Sequence, residues 1–82
     1  MYYAYVLKSS IDGSYYYGSS EDPERRLVEK HNKGKSKYTK GRMPWKLIYK
    51  EEFATKSEAF NREKFFKSGS GREYIKNALR DK

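Results

Sequence analysis

Glu63 is the acidic residue whose position most needs an explanation. Ala59, Glu63 and Phe66 fall at i, i+4 and i+7, so on a helix they share a face that is otherwise apolar. A charge there requires a partner. Lys67, four residues later, stands in the favourable order for a helical ion pair; a bound cation is the other choice, and the spacing leaves the two about even. Such a cation would be hard and oxygen-bound, because the chain has no cysteine and a single histidine, His31, too few for thiolate or multi-histidine ligation. A second group of reactive side chains lies between Lys33 and Arg42, where five cations and no carboxylate surround one aromatic. Lys35, Lys37, Lys40 and Arg42 are suited to phosphates, and Tyr38 to stacking on an exposed base. A merely soluble loop is the rival reading, and the missing carboxylates weigh against it. Nothing in the chain is arranged to read base edges, so any sequence preference should be weak.

The whole chain carries the same bias. Nineteen Lys and Arg against eleven Asp and Glu give a formal charge of +8 and a pI near 9.7, the footprint of a polyanion partner, with nucleic acid ahead of a membrane surface. No apolar run reaches the ~18 residues needed to span a bilayer. The opening stretch from Met1 to Lys8 lacks a signal peptide's basic start and small-residue cleavage site, so a cytoplasmic location is expected. Eighty-two residues with 35% hydrophobic content close one core and not two, which predicts a single domain over 1–82. Nine tyrosines within an aromatic content of 17% imply that rings supply much of the buried area.

The elements that must position these groups are short. Tyr2 to Lys8 is aromatic and β-branched, Asp12-Gly13 is a turn signal, and Ser14-Tyr15-Tyr16-Tyr17-Gly18 follows, which together predict a β-hairpin. Asp22 with Pro23 and Glu24 predicts a helix start, and the helix should run to about Asn32 before Gly34. After Pro44, strict alternation of Trp45, Leu47, Tyr49, Glu51 and Phe53 with their neighbours predicts a third strand. Thr55-Lys56-Ser57-Glu58 is a capping box that opens a helix to about Ser68. Gly69 reads as its stop, and Ser70-Gly71-Arg72-Glu73 as a second capping box opening a last helix. The predicted class is α/β in the α+β sense: a small, mainly antiparallel three-stranded sheet flanked by three helices, in the order β-β-α-β-α-α.

Tyr3-Ala4-Tyr5, Tyr16-Tyr17-Gly18 and Arg26 follow one another along the first half. The second half carries Lys37-Tyr38-Thr39-Lys40, then Pro44-Trp45-Lys46-Leu47-Ile48-Tyr49, then Asn61-Arg62-Glu63-Lys64. This ordered set resembles the GIY-YIG nuclease family, and its small stand-alone members in particular, over nearly the whole chain. The family's domain also occurs in excision-repair and homing enzymes, usually beside a separate DNA-binding domain. The resemblance implies one divalent metal, Mg²⁺ or Mn²⁺, and hydrolysis of DNA, branched or single-stranded forms included, with DNA ahead of RNA. On that likeness Tyr5 and Tyr16 stand at the two signature tyrosines, Arg26 at the helix arginine and Glu63 at the metal-binding glutamate. The first signature reads Tyr-Ala-Tyr in place of Gly-Ile-Tyr and keeps the tyrosine.

The resemblance also implies roles. Glu63 would carry a Mg²⁺ that keeps most of its waters, and Arg26 would present its donor fork to the phosphate. Tyr5 would act as general base or water positioner, with Tyr16 bonding at the same phosphate. A phenol of pKa ~10 is a poor base at neutral pH, so the base role demands positive charge close by. In many relatives a histidine follows the helix arginine by four residues, whereas here the fourth is Lys30 and His31 is the fifth. At about 100° per residue a +4 neighbour lies roughly 40° around a helix and a +5 neighbour roughly 140°. His31 therefore joins the site only if the last turn takes in an extra residue, and Lys30 is the alternative. Asn77 is a loose positional match to a late asparagine found in some relatives.

Without the likeness, Tyr5 and Tyr16 read as packed strand aromatics, Arg26 as a solvated cation and His31 as a surface residue. The second functional reading is a non-catalytic nucleic-acid-binding module of the same fold. A protein-interaction domain meeting an acidic partner ranks third. A monomer or weak homodimer is expected.

Overall fold

The computed structural model describes residues 1–33 and 40–80, and the side chains of Lys30 and Lys40 fall outside that set. Strand β1 (Tyr2–Ser9) lies at the centre of a three-stranded sheet ordered β2-β1-β3, paired antiparallel with β2 (Tyr15–Ser20) on one side and β3 (Trp45–Phe53) on the other. Its central position explains the continuous burial of Ala4, Tyr5, Val6 and Leu7, since both faces of a middle strand are covered. The hairpin closes where expected. Gly13 takes φ +75, a left-handed conformation open to glycine, and the Asp12 carboxylate accepts from the Ser14 N–H at 2.9 Å. The sheet and helices follow the predicted order β-β-α-β-α-α.

The two faces of the sheet hold separate cores. Ala4 and Val6 pack with Phe66 and Ile75 under helices α2 (Lys56–Lys67) and α3 (Gly69–Arg80). Tyr5 and Leu7 pack with Trp45, Tyr16 and Leu27 on the opposite face, which is covered by the short helix α1 (Pro23–Arg26) and the turn that continues it. Pairing fixes the membership of each set. Gly18 lies opposite Tyr5 and Tyr16 opposite Leu7, whereas Ser19 lies opposite Ala4, and cross-strand partners share a face.

Three expectations about the elements are corrected. Strict alternation in β3 would put Trp45, Leu47, Tyr49, Glu51 and Phe53 on one face. A bulge instead pairs Val6 with Tyr49 but Leu7 with Leu47, and the extra residue transfers everything after it to the other face. Trp45 and Leu47 thus join the Tyr5 core, while Tyr49 and Phe53 join the Phe66 core. The capping box at Thr55 forms as expected, but the one read at Ser70 does not open α3. Ser68 does so, its hydroxyl accepting from the Gly71 N–H at 3.0 Å, so Gly69 begins α3 rather than stopping α2. The join is tight, because a Cβ on Gly71 would lie 1.6 Å from the Phe65 carbonyl oxygen. The third correction concerns the end of the first helix. It is no regular α-helix there but a π-helical turn over Leu27–His31, closed by the Asn32 N–H on the Leu27 carbonyl at 2.8 Å.

Candidate active site on the edge strand

Gly18 on the edge strand decides where the Tyr5 hydroxyl can go. A Cβ at that position would lie 2.6 Å from the Tyr5 hydroxyl oxygen and 3.2 Å from a ring carbon of Tyr16. Only a residue without a side chain lets the Tyr5 ring reach from the central strand across β2. Sequence reading named Gly18 as part of a motif but gave it no task. Its task is steric.

The π-helical turn brings in His31. With about 80° per residue in a π-helix, five steps from Arg26 return to within roughly 40° of the same face, where a regular helix would have missed by roughly 140°. The surface reading of His31 is therefore corrected. The imidazole is 1% exposed, its Nε2 lies 3.3 Å from the Tyr5 hydroxyl, and its ring centroid is 4.8 Å from that of Tyr16. Asn32, just after the turn, anchors it by accepting from the Trp45 N–H and donating to the Trp45 carbonyl at 3.0 Å. That side chain imitates a neighbouring strand at the start of β3, a role the sequence did not disclose.

Arg26 is held at the end of α1, whose start is capped by the Asp22 carboxylate on the Arg25 N–H at 3.2 Å. Its Nε is buried and has no hydrogen-bond partner among the described residues. An unsatisfied buried donor costs about 1–3 kcal/mol, so this one stands out from a solvated helix cation. Arg26 also lines a hollow of about 310 Å³ with Tyr2, Ser19, Ser20, Lys56 and Ala59. That hollow joins α1 to the apolar face of α2.

Glu63 projects from that face. Ala59 and Phe66 on either side of it are buried, as the spacing predicted, and the Glu63 side chain is 14% exposed. Lys67 donates to Oε2 at 2.8 Å, the expected helical partner, and Ser19 donates to Oε1 at 2.8 Å. Ser19 was missed, although its place after Gly18 in a period-two strand turns it toward α2. Tyr5 and Glu63 thus start from opposite faces of the sheet and approach each other at its outer strand, one above Gly18 and the other at Ser19.

The Tyr5 pKa is pushed up to about 12, chiefly by burial and then by Tyr16, with the Glu63 charge adding to the rise; Arg26 pulls the other way through charge and hydrogen bonding. Arg26 and Glu63 both lie close enough to act on the phenol, and burial outweighs the arginine. The positive charge that a phenolate base would need does not dominate. Tyr5 is a neutral hydroxyl at neutral pH.

The other predicted residues divide by position. Arg42 does not stand alone in solvent: its Nε lies 3.3 Å from the Asp12 carboxylate in the hairpin turn, and its carbonyl accepts from Ser9 at 2.7 Å. Lys35, Lys37 and Tyr38 lie outside the described residues, as do the side chains of Lys30 and Lys40. Asn77 is exposed on α3. Among the described residues no group of three His, Cys, Asp or Glu side chains is placed to hold a metal, and no helix is long and apolar enough to cross a membrane.

Known proteins share this arrangement of sequence and fold. A UPF0213 protein of Streptococcus pneumoniae is 53% identical over 66 residues, covering 79% of this chain and 65% of that protein, so the chain spans just under two thirds of that relative's length. A UPF0213 protein of Staphylococcus saprophyticus is 46% identical over 76 residues, 92% of this chain and 90% of its own. The solution NMR structure of a UPF0213 protein from Bacillus halodurans, 38% identical, superposes over 95% of this chain and 85% of its own with a TM-score of 0.55. Residues 1–77 match the GIY-YIG catalytic domain. On that match over nearly its whole length, the chain belongs to the GIY-YIG family of nucleases.

Proposed function

We propose that the chain is a Mg²⁺- or Mn²⁺-dependent endonuclease that hydrolyses phosphodiester bonds of DNA, branched or single-stranded forms included. The observation that carries this reading is the buried Nε of Arg26, unpartnered among the described residues, on a side chain that lines the hollow beside Ser19 and acts, with Glu63, on the Tyr5 phenol. Those are the groups that attack on a phosphate calls for: a cationic fork, a water holder and a seat for a cation.

The donor set fits a magnesium-like ion. Such an ion uses one or two carboxylates and keeps several waters, so Glu63 alone suffices. Each Glu63 oxygen accepts one hydrogen bond and keeps a lone pair. When bound, the ion would neutralise charge on the phosphoryl oxygens and acidify a water.

The protein's own groups account for the remaining requirements. Arg26 donates to the phosphate oxygens and gains the partner that its Nε lacks. Tyr5, kept neutral by burial, orients the attacking water rather than serving as a phenolate. With Nε2 of His31 unprotonated, the Tyr5 proton passes to it as Tyr5 accepts the proton of the water. The water oxygen bonds to phosphorus, the P–O bond to the departing strand breaks, and the alkoxide takes a proton from solvent. Tyr16, whose ring meets that of His31 at a tilt of 55°, fixes the imidazole.

Cleavage of plasmid and oligonucleotide by the purified protein with Mg²⁺ or Mn²⁺ tests the reading. Glu63→Ala should cut at least about 100-fold more slowly while still binding DNA in EDTA. Equal cutting by this variant would trace the activity to a contaminant and sink the proposal. Binding without cutting by the native chain would leave a binding module.

A further inference from the structure

A second, larger hollow of about 600 Å³ runs along the outer edge of β2, between that strand and the junction of α2 with α3, and Tyr15, Tyr16, Tyr17, Lys67 and Arg72 line it. Two of these residues belong to the candidate active site as well. The Tyr16 ring lies 4.8 Å from His31, and Lys67 is bonded to Glu63 at 2.8 Å. The groove is therefore bordered by side chains that also touch His31 and Glu63. A polynucleotide with one phosphate at Glu63 and Arg26 would leave on two sides, and the β2 groove lies on the Lys67 side of Glu63.

The chemistry of the two sides differs. The hollow beside Arg26 is lined mainly by hydroxyls and cations, with Tyr2 as its one ring, and by Glu21. The β2 groove has three phenols, two cations and no carboxylate. Packing explains part of this, since Tyr15 and Tyr17 meet edge to face at 6.4 Å and flank the Phe66 core. It does not explain the exposed Arg72 at the margin of a groove of rings, where Lys67, held by Glu63, is a second cation. Rings with cations at their margins suit bases with phosphates beside them, and a ring can stack only on a base whose face is free. Bases inside a duplex have no free face.

We propose that the β2 groove is a subsite for an unpaired nucleic-acid strand, with Tyr15 and Tyr17 against its bases and Lys67 and Arg72 against its phosphates. The substrate class is then a polynucleotide that is single-stranded on one side of the bond to be cut. This rests on the nuclease reading for its meaning but not for its test.

The test is equilibrium binding in EDTA, read by fluorescence anisotropy at fixed salt, of labelled oligothymidylate, an abasic oligomer of equal length and a blunt duplex. Oligothymidylate should bind about 5- to 100-fold more tightly than the abasic strand. Tyr15→Leu should erase most of that difference, Tyr15→Phe should keep it, and neither should change duplex affinity. Arg72→Gln should weaken both single strands alike and lower the slope of affinity against salt by about one. Thermal melting of each variant separates lost stacking from lost folding, and the Phe variant supplies a folded control.

Equal affinity for thymidylate and abasic strands would overturn the proposal, as would equal weakening of single strand and duplex by Tyr15→Leu. Sedimentation that shows the groove closed by a second copy pairing along β2 would also overturn it. No cleavage is read, so a groove that fails while Glu63-dependent cutting persists removes the substrate class alone. A groove that binds as stated in a protein that does not cut removes the nuclease reading alone.

Discussion

The protein contains two clusters built from the same parts, one arginine, one glutamate and two tyrosines, and only one of them is closed. In the first, Glu51 on β3 accepts from Arg62 at 2.7 and 3.4 Å and from the hydroxyls of Tyr49 and Tyr74 at 2.5 and 3.2 Å. The Arg62 guanidinium lies 4.6 Å from the ring centre of Phe65 and 4.7 Å from that of Tyr74. Burial alone would raise the Glu51 carboxyl, but the hydrogen bonds of Arg62 and Tyr49 and the arginine's charge bring it below the ordinary carboxylate range. In the second cluster Arg26 and Glu63 are not paired with each other. Among the described residues the arginine has a buried donor without a partner, and the carboxylate is held by a serine and a lysine. Composition does not separate a brace from a site. Unspent hydrogen-bonding capacity does.

The comparison can be broken by experiment, most severely at the two arginines. Arg26→Met should lower cleavage about 10²- to 10³-fold, the usual cost of removing a preorganised donor to a reacting oxyanion, with the melting temperature unchanged or raised because a buried polar group is removed. A fall in stability with cleavage intact would make Arg26 a brace. Glu51→Ala should do the opposite. It leaves Arg62, whose side chain is 30% exposed, without its carboxylate, and should cost about 2–3 kcal/mol, discounted from a fully buried pair. That is roughly 10–20 °C in melting temperature for a domain of this size. The folded fraction should still cut at the native rate, and a matching loss of activity would dissolve the distinction.

The smallest effect belongs to Tyr5 and is read by pH. Its folded pKa of about 12 lies above the ordinary 10.0. The protonated phenol therefore contributes stability that is whole below pH 10 and is lost as pH rises toward 12. Tyr5→Phe should flatten that part of the alkaline stability curve, by an amount on the order of 2 kcal/mol, and should remove one late-titrating phenol from the ultraviolet titration. A phenol lost near pH 10 instead would show that burial does not govern the site.

The elements were legible where local signals and periodicity carry the information. Asp12-Gly13, the Asp22 cap and the Thr55 box all formed where the residues placed them, and Glu63 betrayed itself as a carboxylate on an apolar face. The failures share a cause. The bulge in β3 and the π-helical turn at Leu27–His31 each take in one extra residue, and a periodic reading assumes that none is taken in. Tertiary demands made both affordable: Trp45 fills one core while Tyr49 fills the other, and His31 finds the Tyr5 hydroxyl. Ser68 displaced Ser70 as the cap of α3 because Gly71 must press on the Phe65 carbonyl, a contact no local pattern encodes. The part played by Ser19 needs the strand register, which appears only once β1 and β2 are paired.

The contact at Gly71 has a mechanical result. Main chain rests on main chain there, so the first turn of α3 cannot close any further on the last turn of α2. Lys67 and Arg72 stand on the two sides of that joint like jaws that meet a stop before they shut. A guest that does not fit must itself bend, and flexible strands should enter more readily than stiff ones carrying the same charges.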